Sequence, residues 1–400
     1  MNHERAITAS PRVLVVDDNP DVLAALRLLL KSAAYQVETF AVPQAALEAL
    51  RAQPFDLVLM DLNYARDTTS GQEGRALLAD IRSHDAALPV VAMTAWGSIE
   101  LAVELMQHGL NDFVQKPWDN ARLLATLQQQ LRVGEAKRQA LRAAQEISEQ
   151  QAREWAAARQ MQERLLPHSL PVIAGYDIAA SWQPMQAVGG DWYDVVQLDD
   201  DHLAFGIGDV TGKGLPAALL MANLQALVKA REAVNISPAQ LCAEINQALC
   251  RNIEAGKFVT LFYGVLNFRS RKLSYCNAGH NPPLLVRADN SVISLPTGGA
   301  LLGAFAEWVY EQGEVTLQAG DRLFCYTDGV TEAVNSAGDE FGEDGLLNWI
   351  LQQVPMSASA LPQNLLSVID DYQSGLFTPG LFTPKLFIDD ATVLVLAVSE

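Results

Sequence analysis

The sequence predicts two folded domains joined by a long helix: an α/β domain with a doubly wound parallel sheet, then an α+β domain of two helix-covered sheets. Between Arg12 and Gln115, short apolar runs alternate with amphipathic segments, as in parallel sheets with helices on both faces. From Trp118 to Leu166, no proline interrupts a stretch rich in Ala, Gln, Glu, Arg and Leu, which favours one long helix. Beyond Pro171, hairpin patterns alternate with helical segments.

Length and charge limit the possible functions. The 400 residues suffice for two domains, each with its own core, and 50% of them are hydrophobic. The formal charge of −19, from 28 basic and 47 acidic residues, argues against nucleic-acid binding. An acidic protein of this kind is well suited to bind hard cations. The first residues contain no apolar leader, and no window of about 18 residues is free of charge. We therefore expect a cytoplasmic protein that does not enter a membrane.

Cysteine and histidine usage argues against disulfide and zinc chemistry. The four cysteines, Cys242, Cys250, Cys276 and Cys325, lie in apolar patterns without a CxxC pair, as expected of core thiols in a reducing compartment. The six histidines are scattered and include no HExxH motif.

The amino-terminal domain is predicted to alternate five strands with helices. The strands are Arg12 to Val16, Gln36 to Phe40, Leu57 to Met60, Val90 to Met93 and Asp112 to Gln115. The helices begin near Pro20, Pro43, Gln72, Ser98 and Asn120. In such sheets the chemistry lies at the carboxyl ends of the strands.

Polar residues follow these strands at one edge of the sheet. They are three carboxylates, a hydroxyl and an ammonium: Asp17, Asp18, Asp61, Thr94 and Lys116. Each alone could be a helix cap or a solvated loop residue. Together they predict a Mg²⁺ site beside a phosphoryl acceptor, since a carboxylate nucleophile needs no deprotonation at neutral pH.

This arrangement resembles a response-regulator receiver domain of the CheY type, over roughly Pro11 to Gln130. The resemblance implies that Asp61 accepts a phosphoryl group supplied through a sensor histidine kinase. It also implies Mg²⁺ binding by Asp17, Asp18, Asp61 and the Asn63 carbonyl, phosphoryl contacts from Thr94 and Lys116, and a switch aromatic at Phe113. The loop after Asp61 is longer than usual and lacks the common Met-Pro, which bears on the lifetime of the phosphorylated state more than on the acceptor.

The connector carries apolar residues at mixed three- and four-residue steps. They are Leu124, Leu127 and Leu131, followed by Leu141, Ala144, Ser148, Ala152, Trp155, Ala158 and Leu165. This seam favours a coiled coil through which the chain forms a homodimer, but it is weak, so a plain surface helix stays open as an alternative. Gly134, between the two sets, is a candidate break or hinge.

The carboxy-terminal domain is organised around a predicted hairpin. Runs of alternating character, Asp191 to Leu198 and His202 to Val210, flank an acidic triplet centred on Asp200. With Asp200 at the tip, Asp191 opposes Asp209 on an otherwise apolar face. Opposed residues have Cβ atoms about 4.5 to 5.5 Å apart, and two carboxylates there repel unless a cation lies between them. A solvated strand end or a shifted register is the alternative.

Two later strands also carry aspartates at their ends. Arg322 to Thr327 leads into Asp328, and Thr392 to Val398 is preceded by Asp389 and Asp390. Oxygen-only ligands at this density suit Mg²⁺ or Mn²⁺ rather than zinc.

The same patterns predict the other elements of this domain. Strands are expected at Tyr176 to Ser181, Phe258 to Phe268, Lys272 to Cys276 and Leu284 to Arg287, and helices at Ala217 to Ala230 and Pro238 to Asn252. Pro216 favours the start of the first of these helices.

Four segments of this domain resemble the signature motifs of the RsbU/SpoIIE branch of the PPM (type 2C) serine/threonine phosphatases. They are Val188-Gly-Gly-Asp-Trp-Tyr-Asp194, Gly208-Asp-Val-Thr-Gly-Lys-Gly214, Tyr326-Thr-Asp-Gly-Val-Thr-Glu332 and Asp389-Asp-Ala-Thr392. The resemblance runs from about Arg153 to Glu400 and implies an αββα sandwich with two Mn²⁺ or Mg²⁺ ions that activate water against a phosphoserine or phosphothreonine. The catalytic metal ligands that it implies are Asp191, Asp209, the Val210 carbonyl, Asp328 and Asp389, with Asp390 the alternative to Asp389.

Three features are left outside the predicted site. His280, in a Gly-His-Asn-Pro turn, is expected to be structural. Lys213 could steer phosphate or be a solvated loop residue. The tandem Leu-Phe-Thr-Pro repeat within residues 375–387 is either a duplicated loop or a partner-binding segment.

Together the resemblances imply a two-component response regulator with a receiver domain (1–120), a helical linker (121–166) and a phosphatase domain (167–400). Phosphorylation of Asp61 would control dephosphorylation of a protein, the implied substrate being a phosphorylated anti-sigma-factor antagonist of the STAS type. The rival hypothesis is a non-catalytic adaptor that uses the phosphatase fold to bind a sigma factor or its regulator. The intact aspartates argue against the adaptor, which has no need of them.

Overall fold

The computed structural model describes residues 10–64, 72–94, 99–232, 236–254, 256–353, 357–374 and 388–399. The chain forms two compact units, Met1–Gln150 and Gln151–Glu400. The Leu-Phe-Thr-Pro repeat and most of the long loop after Asp61 lie outside the described residues. In the part of the chain that is described, no helix has both the length and the apolar character needed to cross a bilayer.

The amino-terminal unit has the predicted doubly wound α/β fold. Its elements are β1 (Arg12–Val16), α1 (Pro20–Ser32), β2 (Gln36–Phe40), α2 (Pro43–Ala52), β3 (Leu57–Asp61), α3 (Gln72–His84), β4 (Val90–Thr94), α4 (Ile99–Gln107), β5 (Asp112–Gln115) and α5 (Asn120–Glu163), which continues into the second unit. The strands form one parallel sheet in the order β2-β1-β3-β4-β5.

Both faces of this sheet are buried, which explains why its strands are almost wholly apolar. Leu14 and Val16 pack into one apolar cluster, and Val13 and Val15 pack into a second cluster on the opposite face. Because the strands are parallel, their carboxyl ends meet at one edge, and that edge carries the predicted polar residues.

Helix α5 runs unbroken through Gly134, so the break considered there is absent. A Cβ atom at Gly134 would clash with the ring of Pro89. The glycine therefore lets the helix pass close to the loop before β4.

The two sets of predicted seam residues have different surroundings. Leu127 is fully buried, and Leu124 and Leu131 pack against the same apolar cluster of the amino-terminal unit, so this first set covers the sheet. In the second set, Leu141 is 54% exposed and Trp155 is 37% exposed. The dimeric coiled coil therefore stays a prediction for the second set and is wrong for the first.

The carboxy-terminal unit contains the remaining elements and a 3₁₀ turn at Ala358–Ala360. They are β6 (Tyr176–Gln183), β7 (Trp192–Gln197), β8 (His202–Val210), α6 (Leu215–Arg231), α7 (Pro238–Asn252), β9 (Val259–Asn267), β10 (Lys272–Ala278), β11 (Leu284–Val286), β12 (Val292–Ser294), β13 (Gly298–Gly299), β14 (Gly313–Thr316), β15 (Arg322–Tyr326), α8 (Asp328–Thr331), α9 (Gly342–Gln352), α10 (Leu361–Gln373) and β16 (Ala391–Val398).

These strands form two sheets. The first has the order β13-β10-β9-β8-β7, with β14 also paired to β10, and the second has the order β12-β11-β15-β16-β6. Phe205 and Phe262 from the first sheet pack against Leu394 from the second. Helices α6 and α7 cover the outer face of the first sheet, and α9 and α10 cover that of the second. The implied αββα sandwich is therefore confirmed.

The predicted hairpin register is also confirmed. Tyr193 pairs with Ile207, and the amide of Leu198 donates to the carbonyl of His202 at 2.8 Å. The strand face that carries Ile207 is buried between the two sheets. Asp191 and Asp209 lie further along the same face, at the end of the sandwich where the inter-sheet core ends.

Candidate metal sites

The acidic residues predicted in the amino-terminal unit meet at the carboxyl edge of its sheet. Asp17, Asp18 and Asp61 each offer a carboxylate oxygen, and these oxygens lie within 4.8 Å of one another. Lys116 Nζ donates to Asp17 Oδ2 at 2.6 Å and to Asp61 Oδ2 at 2.8 Å. Burial raises the pKa of Asp17, although hydrogen bonds from Lys116 and from the backbone oppose the rise. This group of oxygens fits a Mg²⁺ ion next to an acceptor carboxylate.

The other predicted residues of this site lie around the same edge. The Thr94 side chain is fully buried, and its Oγ1 has no hydrogen-bond partner among the described residues. A phosphoryl oxygen would supply that partner. The amide of Asn63 lies 3.4 Å from Asp61 Oδ1, and Phe113 is partly buried against the core. The roles of these residues stay predictions.

In the carboxy-terminal unit, both sheets deliver aspartates to the same end of the sandwich. Asp191 immediately precedes β7 and Asp209 lies near the end of β8. In the second sheet, Asp328 follows β15 and Asp389 precedes β16, and these two strands are antiparallel neighbours. The fold therefore brings together four aspartates that are far apart in the sequence.

Asp191 is held on one side by two threonines that the sequence analysis missed. The hydroxyls of Thr327 and Thr392 donate to Asp191 Oδ2 at 2.8 and 2.6 Å. The carboxylate is fully buried, and Oδ1 has no hydrogen-bond partner in the described part of the chain. A buried carboxylate oxygen without a donor fits a cation ligand. Both threonines belong to the motifs given above, and this is the sequence signal that could have identified them.

The electrostatics of this cluster favour a bound cation. Burial raises the pKa of Asp209 to about 7, with Asp328 and Asp389 adding to the rise, and Asp191 lies within hydrogen-bonding reach. Burial likewise raises the pKa of Asp328 to about 6, and burial followed by the charge of Asp209 raises the pKa of Asp191. Carboxylates that are destabilised in this way gain most from a divalent cation.

The cluster is wider than the one in the amino-terminal unit. Within the described residues of this unit, no three His, Cys, Asp or Glu side chains bring ligand atoms within 4.8 Å of one another. A Cβ at Gly190 would lie 2.9 Å from the Val210 carbonyl oxygen, so this predicted ligand lies beside the turn that leads to Asp191.

Asp389 and Asp390 have different environments. Asp390 is buried and accepts hydrogen bonds from the amides of Met185 and Gly190 at 2.7 and 2.6 Å, so both of its oxygens are used. Asp389 is more exposed and pairs with Lys213, whose Nζ lies 2.9 Å away. This difference favours Asp389 as the metal ligand. Asp390 instead fixes the loop before Asp191 through its two hydrogen bonds. Lys213 is exposed and forms an ion pair with Asp389, so both of its predicted interpretations stay open.

The end of α5 contacts this same loop, a connection that the sequence analysis missed. The Gln162 side chain donates to the Gly189 carbonyl at 2.6 Å and accepts from the Gly189 amide at 3.0 Å. Gln225 of α6 donates to the Leu165 carbonyl at 2.8 Å and accepts from the indole of Trp192. The segment 162–165 is thus linked by hydrogen bonds to Gly189, before Asp191, and through Gln225 to Trp192, after it. No sequence motif indicates these contacts.

His280 is buried next to Thr260, a position that fits the structural role expected of it. Its Nδ1 lies 2.9 Å from Thr260 Oγ1, and Thr260 pairs with Asp209 across the β8–β9 ladder. Its amide donates to Asn277 Oδ1 at 2.7 Å. Burial lowers the pKa of the His280 imidazole from 6.5 to about 4, so the folded protein keeps this ring neutral.

Replacing His280 with glutamine is expected to remove a pH-dependent part of the stability. Because the folded-state pKa is depressed, the contribution of the neutral ring is fully present above pH 6.5 and is lost as the pH falls towards about 4. The difference in free energy of unfolding between wild type and His280→Gln should therefore shrink by about 2 kcal/mol between about pH 8 and about pH 5. Denaturant unfolding of both proteins measures this difference, and a constant difference would contradict the assignment.

Two family models match the chain. Stage II sporulation protein E (SpoIIE) matches residues 199–399, and the response regulator receiver domain matches residues 13–128. Phosphoserine phosphatase RsbU of Bacillus subtilis is 32% identical over 182 residues, which is 45% of this chain and 54% of that protein. Transcriptional regulatory protein ZraR of Escherichia coli K12 is 40% identical over 119 residues, which is 30% of this chain and 26% of that protein. The chain thus spans about half, or less, of the length of these two relatives.

A solved structure supports the fold of the carboxy-terminal unit. The SiaA-PP2C domain of Pseudomonas aeruginosa superposes with a TM-score of 0.53 at 22% identity, covering 63% of this chain and 99% of that domain. At this identity the likeness concerns the fold alone.

Proposed function

The chain belongs to the SpoIIE family and carries a response regulator receiver domain, and on this premise we propose that it is a metal-dependent protein phosphatase controlled by phosphorylation of Asp61. The observation that carries the proposal is the cluster of the fully buried Asp191 with the half-buried Asp209 and Asp328, in which Asp191 keeps one carboxylate oxygen without a hydrogen-bond donor. Removing that much charge from water requires a counter-charge of comparable size.

The residues that would hold the divalent cations are Asp191, Asp209, Asp328, Asp389 and the carbonyl of Val210. Bound Mg²⁺ or Mn²⁺ would supply the activation of water for attack on a phosphoester. Direct attack by water needs no nucleophilic side chain from the protein.

Other side chains fix the geometry of these ligands. Thr327 and Thr392 both donate to one oxygen of Asp191, which leaves the second oxygen free to face a cation. Asp390 holds the Gly190 amide and so orients the turn into Asp191. Hydrogen bonds of this kind orient metal ligands in many sites, and their loss costs roughly 10–100-fold in metal affinity or activity.

The substrate in this proposal is phosphoserine or phosphothreonine on a protein, in particular a STAS-type anti-sigma-factor antagonist. Support comes from the motif resemblance and from the similarity to a protein named phosphoserine phosphatase RsbU.

A sensor histidine kinase supplies the phosphoryl group to the receiver domain in this proposal. The chain works in the cytoplasm as a homodimer that forms through the exposed part of α5. The proposed domain limits are 1–120, 121–166 and 167–400.

The proposed control runs along α5. This one helix begins in the receiver domain and ends at residues that bond to the loop before Asp191. A change at Asp61 that alters the packing of α5 would then bias the position of Asp191 through Gln162.

The test is a phosphate-release assay with the full-length chain. The protein is incubated with Mn²⁺ or Mg²⁺ and a phosphoserine-containing STAS protein, with a phosphotyrosine peptide as control. We expect release from the phosphoserine protein that depends on the metal and changes after treatment with acetyl phosphate. No release with either metal, whether or not the receiver domain is phosphorylated, would overturn the proposal.

A further inference from the structure

A cavity lies between α6 and α7, beside the loop that follows Asp209. Its volume is about 260 Å³, and residues from both helices line it. The apolar lining consists of Pro216, Leu219, Leu220, Leu249 and Ile253. Pockets for small-molecule ligands are usually larger, about 300–1,000 Å³. The cavity therefore has room for one or two side chains of another protein rather than for a cofactor.

The cavity lies next to the loop that connects Asp209 to α6. Thr211, which lines it, follows the Val210 carbonyl directly along the chain. Gly212 and Gly214 have positive φ angles of 99° and 69°, which turn the chain sharply between β8 and α6. A ligand side chain in the cavity would therefore lie next to the loop that carries Asp209.

Exposed apolar side chains surround this region. Leu219 is 65% exposed and Leu215, one helical turn earlier, is 46% exposed. Ile388, whose carbonyl accepts a hydrogen bond from Lys213, is 38% exposed. A single exposed apolar residue is ordinary, but several beside a cavity and a reactive centre mark a contact surface.

Two opposite charges, those of Lys257 and Glu254, line the cavity. Lys257 lines the cavity, and its Nζ would lie 3.0 Å from a Cβ atom at Gly212. The part of the chain that the structure describes offers this ammonium no ion-pair partner. Lys213, next to Gly212, is paired with Asp389. An unpaired ammonium at this position complements a phosphate approaching the aspartates.

We propose that this cavity is the subsite that selects the protein substrate: it takes an apolar side chain close to the phosphorylated residue, while Lys257 binds the phosphate. The occupant is a segment of the phosphoprotein, because the cavity joins an apolar pocket to a cation beside the reacting centre. The inference rests on the proposed phosphatase function and adds a sequence preference to it.

The test uses synthetic phosphoserine peptides and the full-length protein with Mn²⁺. In one series a leucine occupies each of the positions flanking the phosphoserine in turn, and in the matched series an aspartate does. We expect wild type to favour leucine over aspartate at one position by about tenfold or more in kcat/KM, the size expected for burying one aliphatic side chain. Equal kcat/KM for the two series would overturn the subsite and leave the phosphatase proposal intact, whereas no turnover of any peptide would count against the phosphatase proposal itself.

Two substitutions place the preference in the cavity. Leu219→Asp puts a charge on its wall, and Asn223→Phe fills it, and both positions are exposed, so folding should be preserved. Each should reduce the leucine preference to about twofold or less. Val309→Asp, at an apolar position that is 81% exposed elsewhere in this unit, should keep the full preference. If Leu219→Asp and Asn223→Phe both kept the full preference for leucine over aspartate, the proposal would be overturned.

The role of Lys257 has a separate readout. Lys257→Ala should raise KM about tenfold for leucine and aspartate peptides alike and leave their ratio unchanged, because the phosphate is common to both. Lys257→Arg, which keeps the charge, should recover most of the loss. An unchanged KM in Lys257→Ala would remove the lysine from the subsite.

Discussion

Replacing Asp209 with asparagine is expected to lower phosphatase turnover by a factor of at least about 10³, because the amide keeps the shape of the side chain but loses the charge that holds a cation. The same substitution should stabilise the metal-free protein. Burial and neighbouring carboxylates raise the pKa of Asp209 from 3.8 to about 7, so the cost of this residue to folding grows from about pH 4 and is complete above about pH 7, and removing the charge relieves that cost. Because both proteins keep the receiver site, added Mn²⁺ should stabilise both, but it should stabilise wild type more than Asp209→Asn.

The measurement is turnover of a phosphoserine protein across a range of Mn²⁺ concentrations, together with thermal denaturation with and without the metal. Asp200→Asn, at the exposed tip of the same hairpin, is the matched control and should behave as wild type. The variant also separates the enzyme from a non-catalytic adaptor. If Asp209→Asn kept both its partners and its biological output, the adaptor hypothesis would be correct.

Much of this fold could be predicted because its signals are local. The register of the β7–β8 hairpin follows from strand alternation and a short polar tip, and the structure pairs Tyr193 with Ile207 accordingly. The parallel strands of the amino-terminal unit are buried on both faces, so they read as short apolar runs. The aspartates could be named because each lies where a strand begins or ends.

The contacts that complete the site could not be predicted, because they join residues that only the fold brings together. Thr327 and Thr392 reach Asp191 across 136 and 201 residues of sequence. The choice between Asp389 and Asp390 depends on which carboxylate meets the Gly190 amide, and two adjacent acidic residues look alike in a sequence. No local pattern encodes a contact of this kind.

At Gly134 the hinge prediction is wrong, because the low helix propensity of glycine is a local signal that does not account for packing. A glycine between two apolar sets favours a hinge when helix propensity alone is considered. Here the helix passes within van der Waals contact of Pro89, and glycine is required for close packing. Packing of this kind overrides propensity, and the sequence does not show what lies opposite the helix.

Replacing Asp61 with asparagine is expected to abolish both phosphorylation of the receiver domain and the response of phosphatase activity to acetyl phosphate. Asp61 Oδ2 is paired with Lys116 and Oδ1 accepts from the Leu62 amide, so the carboxylate is oriented at the edge where Asp17 and Asp18 also lie. An asparagine amide keeps the shape of this side chain but is a poor nucleophile and cannot form the acyl phosphate.

Incorporation of label from radioactive acetyl phosphate and the ratio of treated to untreated phosphatase activity measure the two effects. Wild type and the control Asp80→Asn, at an exposed position of α3, should incorporate label and show a ratio different from one. Asp61→Asn should incorporate none and show a ratio of one. A Gln162→Ala variant that incorporates label normally but also shows a ratio of one would place the signal in the hydrogen bonds between α5 and Gly189. If Gln162→Ala responded as wild type does, control would run by another route, whereas a response in Asp61→Asn would mean that another residue accepts the phosphoryl group.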